Sequence, residues 1–116
     1  MNKIILSGNV VNDPELSFTN NGKQMAKFAI ANNDARKFDK NAEALFINCV
    51  AWDKTAEFMG NYCKKGTAVI IEGSLKINKW QARDGAKKES TVINVTAVEF
   101  APSKSSKQAT TDEPLF

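Results

Sequence analysis

Hydrophobic and polar positions alternate with a period of two in several separate segments, the pattern of strands with one buried face. The first, KIILSGNVVN over residues 3–12, is rich in β-branched residues, with Gly8 expected at a bend or bulge. Asn21-Gly22 in FTNNGKQ is a tight-turn signal. In QMAKFAIAN, Ala26, Phe28 and Ile30 alternate with Met25, Lys27 and Ala29. The polar stretch NDARKFDKNAE reads as an exposed loop, and ALFINCVAW follows it. There Leu45, Ile47, Cys49 and Ala51 share one face, while Phe46, Asn48, Val50 and Trp52 share the other.

The period changes only in DKTAEFMGNYCKKG, where Ala56, Met59 and Cys63 recur at helical spacing and Phe58 and Tyr62 stand four apart. Asp53 is the expected N-cap and Gly66 the expected C′ residue, with Lys64 and Lys65 favoured near the negative end of the helix dipole. TAVIIEGSLKINKW then predicts a long strand kinked at Gly73. Asp84-Gly85 turns a hairpin, and STVINVTAVEF returns. Beyond Phe100 the periodicity stops. The order strand, strand, strand, helix, strand, strand predicts an all-β protein, a five-stranded OB-fold barrel with one helix between strands 3 and 4. It divides into an OB-fold domain over residues 1–101 and a flexible, disordered C-terminal tail over 102–116.

Composition narrows the class. The 116 residues suffice for one self-contained core, and 42% hydrophobic with 25% charged residues is ordinary for a globular protein. Sixteen basic against 13 acidic side chains leave a net charge of +3, compatible with a phosphate-bearing partner without requiring one. Two cysteines without a secretory leader suggest a reducing, cytoplasmic setting and no disulfide. No apolar run approaches the roughly 20 residues of a membrane span. With no histidine there is no Ser-His or Cys-His dyad, and two cysteines alone make no structural zinc site. No GxxxxGK[ST] loop is present. No enzyme, cofactor or metal site is expected.

Binding chemistry is better represented. A small barrel fills its interior from one face of each strand, and the Leu45–Ala51 stripe already supplies an apolar face. The alternative is that Phe46 and Trp52 form the core face, but with Asn48 between them that face is the better candidate for the outside, as a binding surface. Lys76, Asn78 and Trp80 share a face of the next strand, opposite Leu75 and Ile77, and Lys79 interrupts that second face. Rings interleaved with cations and amides suit single-stranded nucleic acid, with rings stacking on unpaired bases and ammonium groups meeting phosphates. The bland alternative is a solvated strand end. Lys54, Lys64 and Lys65 are equally ordinary helix-end charges, and Arg83, Lys87 and Lys88 an ordinary charged hairpin tip.

The segments DPEL, INCVAW, KKG and EGSL, within a match spanning nearly all of residues 2–100, make the chain resemble bacterial single-stranded-DNA-binding proteins. The terminal DEPLF is a second point of likeness, since that family ends in an acidic tip closed by apolar residues. The resemblance implies a homotetramer that wraps single-stranded DNA and serves replication and repair. It places Phe46, Trp52 and Trp80 at stacking positions, with Phe38 as a further ring, and Lys54, Lys65 and Lys79 at phosphate contacts. Asn48 and Asn78 stand where some relatives carry arginine. Asp112, Glu113, Pro114, Leu115 and Phe116 would dock on replication and repair proteins, the ring and terminal carboxylate as anchor. The Pro-Leu-Phe order, the short acidic run and the short linker depart from the family pattern. Other readings are a primosome-type or RNA-binding OB protein, or a protein-interaction adaptor on the same scaffold.

Overall fold

The computed structural model describes residues 1–34 and 38–102. The chain forms β1 (Ile4–Val10), β2 (Glu15–Phe18), β3 (Gln24–Asn32), β4 (Leu45–Trp52), α1 (Asp53–Tyr62), β5 (Ala68–Gln81) and β6 (Lys87–Phe100). The strands lie in the order β1-β5-β6-β4-β3-β2, and β1 also pairs with β3 through Asn9↔Ala31 and Val10↔Ile30. That second pairing closes the sheet into a barrel. Neighbours are antiparallel except β4 and β6, which run parallel. Five barrel strands with α1 between the third and fourth make the OB-fold that the alternation predicts. β2 is an extra strand that the alternation does not reveal. Its four residues are all exposed and pair with β3 alone among the described strands, so no buried face imprints a period on them.

One face of each barrel strand fills the interior: Val10 from β1, Ala26, Phe28 and Ile30 from β3, Cys49 and Ala51 from β4, Val69 and Ile71 from β5, Ile93 and Val95 from β6. Helix α1 adds Ala56 and Met59, with Cys63 just beyond it. Full burial of side chains the size of valine, isoleucine or methionine stabilises by roughly 1.5–3 kcal/mol each. Two glycines set how the strands close around this core. A side chain on Gly8 would meet the Ala31 carbonyl oxygen at 2.6 Å, where β1 passes from β5 to β3. Of the bend or bulge expected there, the bulge is absent, because the ladder to β5 runs on through Gly8↔Val69. Gly73 does carry the predicted kink, a register shift between Glu72 and Gly73, and it lies directly against the Asn94 backbone.

The helix ends differ from expectation. Trp52 occupies the N-cap without a side-chain cap bond, and Asp53 is the first helical residue, at φ 52°. Aspartate tolerates this left-handed conformation better than most residues, which permits an abrupt turn from strand to helix. At the other end the helix stops at Tyr62 because Cys63 returns to extended backbone, so Lys64 and Lys65 belong to the following turn. That turn is tied back to β1 by Gly66 N–H donating to the Val10 carbonyl at 2.7 Å. Leu45 is 58% exposed, since the apolar stripe of β4 outruns the core. Leu75 and Ile77 are exposed too: beyond Gly73, β5 and β6 continue as a two-stranded arm to Gln81↔Lys87, with little to cover either face. Gly85, at φ 87°, turns its tip, and Asp84 Oδ1 accepts the Ala86 N–H at 2.9 Å.

Candidate nucleic-acid interface

Because Cys49 and Ala51 point into the barrel, Phe46, Asn48, Val50 and Trp52 are carried to its outside. Register then fixes their neighbours. Across the β3 ladder stand Ala31, Ala29, Lys27 and Met25 in turn. Across the parallel ladder to β6, Val92 faces Asn48 and Asn94 faces Val50. One strand further, Lys76 lies opposite Val92 and Asn78 opposite Ser90. The result is a continuous outer surface over β3, β4, β6 and β5, with a groove lined by Lys27, Asn48, Val50, Trp52, Lys76 and Asn78 among others.

Phe46, 69% exposed, ends this face at one side, and Trp52 ends it at the other. Six residues of strand set their Cα atoms about 20 Å apart. Trp52 is half-buried, and its indole N–H donates to Asn94 Oδ1 at 2.8 Å. The Lys23 ammonium stands over the ring, 5.6 Å from its centre. Trp80, 51% exposed, continues the Lys76–Asn78 face to the end of the arm, opposite Lys88. None of the three rings is in the core.

The remaining residues singled out from the sequence lie apart from the groove. Lys79 is on the opposite face of the arm from Trp80, across from Glu89. Lys54 is exposed on the first turn of α1. Lys65 is exposed in the turn after the helix, its backbone N–H donating to Asp13 Oδ1 at 2.9 Å. Phe38, in the β3–β4 connection, is 92% exposed. Asp112 to Phe116 lie outside the described residues. Among the groove residues not picked out from the sequence are Lys27, Glu15 and Asn94. Lys27 was legible, since Ala26, Phe28 and Ile30 place it on the outer face of its strand. Asn94 was not, because only the parallel β4–β6 pairing brings it beside Trp52.

Neither thiol is poised for chemistry. Burial pushes Cys49 up from 9.0 to about 12 and raises Cys63 as well, so both stay protonated near neutrality. Among the described residues no three carboxylate, thiol or imidazole groups come together to hold a metal ion. Among them, too, no helix is long and apolar enough to cross a membrane. The arrangement suits binding of an extended polymer with flat bases and a charged backbone.

A model of the Single-strand binding protein family matches residues 1–101. A Single-stranded DNA-binding protein of Fusobacterium nucleatum subsp. nucleatum is 40% identical over 115 residues, covering 95% of this chain and 73% of that protein. One of Borreliella burgdorferi is 41% identical over 96 residues, covering 79% and 63% respectively. One of Oceanobacillus iheyensis is 38% identical over 109 residues, covering 91% and 66%. The chain thus spans about two thirds of the length of these curated relatives.

Proposed function

Because the chain belongs to the single-strand binding protein family, we propose that it binds single-stranded DNA with little sequence preference, protecting unpaired strands during replication, recombination and repair. It acts as a binding protein rather than an enzyme. The observation that carries this reading is the outer face of β4 and β5, where Phe46, Trp52 and Trp80 stand outside a barrel whose core is already filled. Bases stack on the rings, at roughly 1–3 kcal/mol each, and every base has a face to stack, so sequence matters little. Lys27 and Lys76 meet phosphates, while the Asn48 and Asn78 amides offer hydrogen bonds without charge. Lys54, Lys65, Lys79 and Phe38 extend the path beyond the groove, an assignment supported by family likeness alone.

The same reading makes the protein a cytoplasmic homotetramer. Within the tail over residues 102–116, the tip from Asp112 to Phe116 recruits replication and repair proteins. Acidic side chains beside apolar ones suit a pocket with a basic rim. The central test is a titration of tryptophan fluorescence with oligo-dT and with a duplex of equal length, at two salt concentrations. Single strands quench the emission at low salt and duplex does not. Absence of quenching by oligo-dT at low salt would overturn the proposal.

A further inference from the structure

Trp52 is held more tightly than a ring serving only as an open platform. Its N–H is engaged by Asn94, and one face is covered by Lys23. Both restraints come from distant parts of the chain: Asn94 from β6, Lys23 from the turn that joins β2 to β3. That turn is itself braced, with Thr19 N–H donating to the Lys23 carbonyl at 2.9 Å and Lys23 N–H donating to the Thr19 hydroxyl at 3.2 Å. β2 in turn leans on α1, where the Leu16 side chain fills the space that a side chain on Gly60 would need.

The indole also separates two concavities. On one side is the groove with Lys27, Asn48 and Lys76. On the other is a second cleft, formed by Thr19, Asn21, Lys23, Thr55 and Thr96. Trp52 and Asn94 border both, whereas Lys23 borders only the cleft. The covered face of the ring is therefore the cleft side, and the groove side is open. The cleft has one cation, three hydroxyl groups and two amides, and no carboxylate lines it. Such a lining suits a phosphodiester oxygen.

Taking the binding of single-stranded DNA as its premise, we infer that Asn94 and Lys23 are positioning residues that hold Trp52 as a one-sided platform. A base stacks on the groove face, and a neighbouring phosphate crosses the ring edge into the Lys23 cleft. Asn94 acts through its acceptor oxygen, which orients the indole. Lys23 closes the second face and supplies the charge for the phosphate.

The test uses Trp80→Phe as parent, leaving Trp52 the sole indole of a chain with two tryptophans. Ring order is read first without DNA, by acrylamide quenching and steady-state anisotropy. Asn94→Leu raises quenching and lowers anisotropy, whereas Asn94→Asp, which keeps an acceptor, leaves both as in the parent. Lys23→Gln, at an exposed position, raises quenching by uncovering one face. With oligo-dT, Asn94→Leu weakens binding about fivefold, the weight of one modest hydrogen bond. Lys23→Gln lowers the slope of log K against log salt by about 0.7, one phosphate contact. Ring order unchanged in both Asn94→Leu and Lys23→Gln would overturn the inference, as would an unchanged salt slope in Lys23→Gln. A wild-type protein that fails to bind oligo-dT would instead overturn the proposed function, a result the DNA-free measurements do not share.

Discussion

Trp52 and Trp80 have the same proposed role in different settings, and their substitutions separate accordingly. Trp52 is half-buried at the rim of the barrel, so Trp52→Ala removes a stacking ring together with its bond to Asn94. Oligo-dT affinity falls by about 1–3 kcal/mol, the stacking value of one base, and the melting temperature falls with it. Trp80 sits on the exposed arm, and Trp80→Ala lowers affinity by a similar amount while leaving the melting temperature nearly unchanged. Fluorescence or anisotropy titration beside a thermal melt distinguishes the two cases. Cys49 makes a different prediction. Burial raises its thiol from 9.0 to about 12 in the folded chain, whereas the unfolded chain ionises near the lower value. The unfolded state therefore holds fewer protons between these limits, and stability falls as pH rises from about 9 toward 12. The contribution of this one group is complete below pH 9 and lost at about 1.4 kcal/mol per pH unit through the window. Urea melts at pH 8 and 10.5 measure the loss, and Cys49→Ala removes this part of it. Cys63 shifts in the same direction and adds to the slope.

Elements show where alternation is informative and where it fails. In β4 the two faces differ so clearly that core and surface were separable from the residues alone, apart from Leu45 at the strand's start. β2 left no trace, because a strand exposed on both faces has no reason to alternate. The ends of α1 were misplaced for a related reason. Asp53 and Gly66 are good capping residues by type, yet the helix begins and ends where the chain must rejoin strand geometry at Trp52 and Cys63. Gly73 is the most sensitive element junction. Its neighbours are the Asn94 and Val95 backbones, which cannot rotate aside like the tip of a side chain. Gly73→Ala destabilises by about 2–3 kcal/mol, the upper range for overpacking, as read by urea denaturation. By displacing Asn94 it also weakens oligo-dT binding in the fraction that remains folded. Gly22→Ala is milder, since only its φ of 84° opposes a side chain and the surrounding space is open.

For the whole molecule, a net charge of +3 is a weak field, so electrostatics act through local placement rather than a strongly basic surface. Lys27 and Lys76 in the groove and Lys23 in the adjoining cleft give three candidate phosphate contacts. An oligo-dT short enough to occupy only the groove and the cleft then shows a slope of log K against log salt of about −2, at roughly 0.7 per contact on single strands. Replacing Lys27 or Lys76 with glutamine makes the slope shallower by about that increment. Light scattering on the eluting protein tests the proposed assembly, with a particle mass four times the 12.7 kDa of one chain expected.

From the residues in order one could obtain the number and succession of the barrel strands, the position of the helix and the outward face of β4. These follow from local periodicity, which needs no knowledge of what a strand packs against. The extent and solvation of the β5–β6 arm and the two-sided grip on Trp52 depended on the tertiary structure. Asn94 stands 42 positions from Trp52, and no local rule joins them. Only a parallel pairing of β4 with β6, imposed by closing the sheet, sets that amide beside that ring.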